Sequence, residues 1–188
     1  MSNALRNVAA VAAATILLLA GCAPSGGETP TPSTSESASP SPTTSPTPSA
    51  PETRTGPLTL YYVALGDEGV TGEPLGCGDS LVAFTTEPVT TDDVLRSSME
   101  RLLADTDRNL GGSGLYSALP GGTLSYVDGS VDDGTVTVEL TGLPAPAGEC
   151  DNPRIESQLE RTAMAATDAT GALVLVDGVP IADVLSLK

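Results

Sequence analysis

The sequence predicts an α+β domain built as a two-layer sandwich, with two helices on one face of a mixed β-sheet. Two segments carry apolar residues at helical spacing on one stripe only, so each can cover a sheet but cannot be buried all round. The runs between them are short, rich in Val, Leu, Thr and Tyr, and bounded by Gly, Pro and Asp. Their order is β-β-α-β-β-α-β, spread over residues 57–188, which is enough chain for one domain with a core of its own.

In chain order, Leu58–Leu65 is the first strand; apolar residues fall on both parities, so both faces are expected to be covered. Residues 66–78 form a loop, and Leu81–Thr86 is a second strand closed by Pro88. Thr91 is the expected N-cap of the first helix, followed by Asp92 and Asp93 where the helix dipole favours carboxylates. Val94, Leu95, Met99, Leu102 and Leu103 make its apolar stripe, and it should stop near Asp105. After the loop Asn109–Gly114, residues Leu115–Leu119 are expected to form one helical turn. Leu124–Val127 and Thr135–Leu140 read as an antiparallel pair. In the second, Val136, Val138 and Leu140 face inward, and the connection Asp128–Gly134 has turn chemistry. Asn152 and Pro153 suit the N-cap and first position of the second helix. Its inner stripe is Ile155, Leu159, Thr162, Ala163 and Ala166, and Gly171 is the expected stop. Leu173–Val176 is a strand, Asp177-Gly178 a turn, and Pro180 confines Val179–Ile181 to a sheet edge.

Residues 1–21 precede this domain with a different chemistry. Arg6 and the terminal amine are followed by an apolar run, Val8–Ala20, broken only by Thr15. It is short for a membrane span, which needs about 20 apolar residues, and has the length of a secretory signal core. Leu19-Ala-Gly-Cys22 at its end resembles the bacterial lipobox, which implies lipidation of Cys22 by acyl chains of the palmitate type and cleavage just before it. An ordinary signal peptide with a chance cysteine is the plain alternative. Residues 22–56 are then almost wholly Ser, Thr, Pro, Ala and Gly, with no aromatic or large aliphatic side chain, so they cannot bury enough surface to fold. As an extended tether they reach up to about 100 Å at ~3.1 Å per residue. The composition suits an O-glycosylated stalk and a bare spacer equally well.

The chain carries 24 carboxylates against 8 cationic side chains, a formal charge of −16 that becomes −17 when Arg6 leaves with the signal. Bulk charge therefore disfavours nucleic acid and anionic lipid as partners. There is no histidine, which removes the commonest general base and transition-metal ligand. Gly78-Asp-Ser-Leu81 spells the signature of a serine lipase/esterase family, yet such a nucleophile needs a base of the kind absent here, and a polar loop before a strand is the alternative. Asp128, Ser130, Asp132 and Glu139 sit at positions 1, 3, 5 and 12 of a calcium loop. Asp133 stands where that loop requires glycine, which favours an ordinary Asp-Gly hairpin. Gly111-Gly-Ser-Gly114 lacks the lysine and the strand–helix frame of a phosphate cradle; it reads as a flexible loop, with a contact role beside Tyr116 as the functional alternative. No catalytic residue, cofactor or metal site is assigned. With Cys22 set aside, Cys77 and Cys150 are an even pair in an exported domain and are expected to form a disulfide.

The segment from Leu58 to Ile181 also resembles the GerMN (sporulation and spore germination) domain. The matching pieces are the Leu-Tyr-Tyr strand from Leu60, the helix Val94–Leu103, Gly114-Leu-Tyr-Ser-Ala-Leu-Pro-Gly-Gly122, Val136-Thr-Val-Glu-Leu140 and the Val-Asp-Gly turn ending at Gly178. Gly76-Cys-Gly-Asp79 and Gly148-Glu-Cys-Asp151 resemble the variant found on actinobacterial lipoproteins. The resemblance implies a non-catalytic envelope role in protein assembly or signalling, and it brings no catalytic residues. The expectation is a protein held by lipid to the outer face of the cell membrane and binding another envelope protein. A small-ligand receptor is the alternative.

Overall fold

A computed structural model describes residues 52–186. The signal segment, Cys22 and the tether up to Pro51 lie outside the described residues. Nine strands and three helices are seen: β1 (Arg54–Gly56), β2 (Thr59–Ala64), β3 (Glu73–Leu75), β4 (Asp79–Thr85), β5 (Val89–Thr91), α1 (Val94–Leu103), β6 (Ser125–Asp132), β7 (Thr135–Thr141), α2 (Asp151–Thr167), β8 (Gly171–Val176), β9 (Val179–Pro180) and α3 (Ile181–Ser186). The class is α+β, as expected. The strands divide among a four-stranded mixed sheet β6-β7-β8-β9, a three-stranded antiparallel sheet β2-β4-β3, and a ribbon β1-β5. β7 and β8 run parallel across α2, while every other pairing is antiparallel.

α2 packs against β2 on one side and against β7 and β8 on another, with α1 and α3 beside it. Ile155, Leu159 and Ala163 of α2 meet Leu60 and Tyr62 of β2, Leu95, Met99 and Leu102 of α1, and Val136, Val138, Leu140, Val174 and Val176 of the mixed sheet in one core. Each fully buried Leu, Ile, Val or Met contributes about 1.5–3 kcal/mol, so these three short layers need one another.

α2 also seals an edge. On the side of β2 away from β4, the Tyr61 N–H donates to Thr162 Oγ1 at 3.0 Å and the Gln158 amide donates to the Tyr61 carbonyl at 3.1 Å. Gln158 Oε1 accepts the Ala118 N–H at 2.8 Å, and Tyr116 exchanges two backbone bonds with Val63, at 2.7 and 2.9 Å. Fully buried Gln158 and Thr162 therefore do for β2 what a neighbouring strand does elsewhere.

Several local expectations are corrected. The cap of α1 is Asp93, whose carboxylate accepts the Arg96 N–H at 2.9 Å; Thr91 lies two residues before it and accepts from Asp93 N–H and Ser97 Oγ. Leu115–Leu119 is not helical but extended, because pairing with Val63 satisfies its backbone. Asp128–Asp132 belongs to β6, and only Asp133 and Gly134 turn; both have positive φ, 45° and 76°, as a two-residue hairpin requires. The apolar alternation of β7 supplies a partner that outweighs the weak strand propensity of Asp, Gly and Ser. α2 begins one residue before Asn152, whose amide instead donates to the Leu185 carbonyl. It ends at Asp168, in the left-handed region at φ 55°, with Gly171 already in β8. Arg54–Gly56, grouped by composition with the tether, pair with β5.

Candidate functional site

The densest polar chemistry lies at one corner, where the turn before β4 meets the start of α2. Cys77 and Cys150 are joined there by a disulfide, Cα atoms 6.0 Å apart. The sequence turns sharply to allow it: Cys77 has φ 66° and Gly78 φ 74°. Beside the bridge, Asp79 and Asp151 are buried, 1% and 2% exposed. Asp79 accepts the Gly66 N–H at 2.9 Å on one oxygen, and Arg154 at 2.7 Å (Nε) and 2.6 Å (Nη2) on the other. Asp151 accepts Arg154 Nη1 at 3.0 Å, Arg108 Nη1 at 2.9 Å, the Ala147 N–H at 2.8 Å and the Tyr116 hydroxyl at 3.2 Å. Burial opposes charge on Asp151, but the Ala147 N–H, Arg154, Arg108 and Tyr116 together outweigh it and hold its carboxyl below the usual range. The same contest raises Arg154: burial disfavours its charge, and its two carboxylate partners overcome that. Carboxylates so saturated with donors fix the corner.

Ser80 of the Gly-Asp-Ser-Leu segment is fully buried in β4. Its hydroxyl donates to Asp67 Oδ2 at 2.5 Å and accepts the Gly69 N–H at 2.8 Å. That Ser80 bond, with bonds from Thr71, holds the Asp67 carboxyl below its ordinary range. The pair pins the 65–72 loop onto β4. Asp128, Ser130 and Asp132 lie along extended β6 with Glu139, Thr137 and Thr135 as their cross-strand partners, so their oxygens form a ladder and do not wrap a point.

A second feature is an open cleft of about 390 Å³ near the C-terminal end of α1. Its floor is Tyr62, whose hydroxyl donates to Asp105 Oδ2 at 2.7 Å, with the Phe84 ring edge-on at 5.8 Å. Arg101 reaches the other Asp105 oxygen at 3.0 Å. Burial first, then the Asp105 carboxylate, pushes the Tyr62 phenol far above its usual range, so it remains a donor. Leu110, Leu115 and Gly111 line the rim, which places the glycine-rich loop at a cleft mouth. An apolar side chain can seat on Phe84 while polar groups meet Asp105, Arg101 and Asn109.

Sequence reasoning picked out Cys77, Cys150 and the glycine loop. It missed Arg108, Arg154, Gln158 and the Tyr62–Phe84–Asp105 set. Asp151 and Arg154 stand three apart on one helix, a legible ion-pair spacing. The partners Asp79 and Arg108, far off in sequence, had no such signal.

The fold and its clamped corner define a disulfide-linked α+β module with an open cleft beside α1. The chain belongs to the Germane (GerMN) family, described as "Sporulation and spore germination", whose model matches residues 59–182. Among solved structures it is similar to the "Tandem GerMN domains of the sporulation protein GerM from Bacillus subtilis", at 18% identity and a TM-score of 0.47. That match covers 66% of this chain and 40% of the other, so this chain spans about two fifths of its length. No curated protein matches.

Proposed function

We propose that this GerMN protein is anchored by lipid on Cys22 to the extracytoplasmic face of the cell membrane, and that its domain binds another envelope protein without catalysing a reaction. The observation that carries the reading is the Leu19–Cys22 box, followed by a proline-rich tether and then by a domain whose two remaining cysteines are bridged. Disulfides persist in oxidising compartments, so the bridge and the export signal support each other. The non-catalytic part is supported by the commitments of the polar groups: Ser80 is buried against Asp67, and Asp79 and Asp151 are tied to arginines.

The cleft on Tyr62 and Phe84 favours a second reading, a receptor for a small solute, because its volume lies within the range of small-molecule sites. Crosslinking in cells from a photoreactive residue at Gly112, on the cleft's loop, separates the two. One dominant protein adduct is expected; capture of only a small molecule would favour the receptor. Flotation tests the anchor. Cys22→Ala should leave the protein uncleaved or released, and complete flotation of a Cys22→Ala protein whose signal has been removed by another route would sink that part.

A further inference from the structure

Among the described strands, β6 is the one edge that is both long and free. β1 and β5 are three residues each and pair with one another. β3 and β9 are short and contain Pro74 and Pro180, which have no N–H to offer. The outer edge of β2 is sealed by Gln158, Thr162 and Tyr116. β6 is eight residues long and pairs only with β7; among the described residues no other group bonds to its backbone. The two-residue turn makes Asp132–Thr135 the closing hydrogen-bonded pair. Alternation then assigns Ser130 to β7 and leaves the N–H and C=O groups of Gly129 and Val131 pointing outward. The 126–128 bulge shifts the alternation once, so Tyr126 also points outward.

The side chains beside this edge narrow the occupant. Asp128, Ser130 and Asp132 share one face of β6, and Glu139 stands across from Asp128. Two carboxylates set opposite each other repel in the isolated domain, and an incoming cation relieves that. On the other face, an open notch between α1 and the start of β6 is lined by Leu103, Leu124 and Tyr126, with the Glu100 carboxylate at its lip. Such a notch fits a side chain with an aliphatic stem and a charged head. A second copy of β6 would set Asp128 and Asp132 against their own kind. The tether has no lysine or arginine between Cys22 and Glu52, and its prolines interrupt any ladder. Every arginine from Arg96 to Arg161 is already paired with a carboxylate.

We infer that the free edge of β6 is a strand-addition site for an extended, lysine- or arginine-bearing segment of a different protein. Main-chain bonds to Tyr126, Gly129 and Val131 supply the register. Alternate cations meet Asp128 and Asp132, and one side chain enters the notch by Glu100. This deepens the protein-binding reading and rests on it.

The test uses the full chain in detergent and three labelled heptapeptides: alternating lysine and valine, the glutamate counterpart, and the lysine peptide N-methylated at its central amides. Fluorescence anisotropy reads binding, and amide exchange reads the edge. Expected are saturable binding of the lysine peptide alone, slowed exchange at Gly129 and Val131, and at least tenfold weaker binding by Val131→Pro. The isosteric pair Asp128→Asn with Asp132→Asn should weaken binding at least fivefold and leave the fold intact. No binding of the lysine peptide, equal binding of its N-methylated form, or no effect of Val131→Pro in a protein that melts normally would each overturn the proposal. If the edge fails while in-cell crosslinking from Gly112 still yields one protein partner, the binding surface is elsewhere and only the strand-addition inference falls.

Discussion

The edges of β2 and β6 belong to one domain and end in opposite ways. β2 gives its outward backbone groups to buried side chains of α2 and to Tyr116. β6 offers the same kinds of group to solvent. Both strands present peptide donors and acceptors, so the difference lies in what packs beside them. A helix running along an edge can close it only if it carries amides or hydroxyls at the right turns, as Gln158 and Thr162 do four residues apart. α1, which passes over β6, turns Leu95 inward onto Gly129 and reaches the edge only with Arg96, stacked on Tyr126 at 4.9 Å. The sealed side thus holds the domain together, and the open side is free for a partner.

That contrast is broken most severely at Arg154. Arg154→Met strips the cation from buried Asp79 and one of the two from Asp151, and a stranded buried charge of this kind costs about 3–5 kcal/mol. Thermal melting should fall by ~10 °C or more. The same network fixes the response to acid. The folded Asp151 carboxyl ionises below its unfolded value, so the unfolded chain binds the proton first on acidification. Its contribution is complete above about pH 4 and is lost as pH falls through the lowered folded value. A stability profile in denaturant should show that loss in wild type, and Asp151→Asn should flatten it.

Next in size is the bridge. Replacing Cys77 and Cys150 together by Ser releases a loop closed over a separation of 73 residues. The chain-entropy estimate is roughly 4 kcal/mol, and strain or residual structure commonly reduces it. A melting shift of about 5–15 °C, with the folded state surviving in the cold, is expected. Two free thiols in protein purified without reductant would remove the clamp from the sealed side altogether.

Gln158→Leu keeps the volume and leaves the Tyr61 carbonyl and the Ala118 N–H without partners, a cost of about 2–4 kcal/mol. Its counterpart on the open side, Val131→Pro, removes a donor that bonds nothing in the domain and should cost under ~1 kcal/mol. Equal losses from the two would erase the distinction between the edges; chemical denaturation of both variants decides.

Those two positions also mark how far the sequence could be read. β2, β4, β7, β8 and both long helices announced themselves through apolar period, because each buries a stripe or face made of its own residues. Gln158 was invisible, since its partners lie 97 and 40 residues away and an amide inside an apolar stripe looks like a surface residue. The second half of β6 was hidden by composition: Asp-Gly-Ser-Val-Asp is turn chemistry until its antiparallel neighbour β7 makes a strand of it. α3 was missed because six residues after Pro180 carry too little periodicity, although Ile181 and Leu185 are buried. The cleft escaped because Tyr62, Phe84 and Asp105 come from three separate elements.

The Cys77–Cys150 link has a mechanical consequence. Pulled from its two ends, a polypeptide lengthens by roughly 3.3–3.6 Å for each residue that unravels. The cross-link withholds the 73-residue separation it spans, some ~250 Å of contour, for as long as the sulfur–sulfur bond lasts. A load entering at Glu52 meets the three-residue ribbon β1–β5 first, then the six rungs joining β2 to β4, and there the sulfur bridge forbids further release along the loop. Under tension the segments before Cys77 and after Cys150 should extend and the chain should then hold, with reductant converting the plateau into a long further extension.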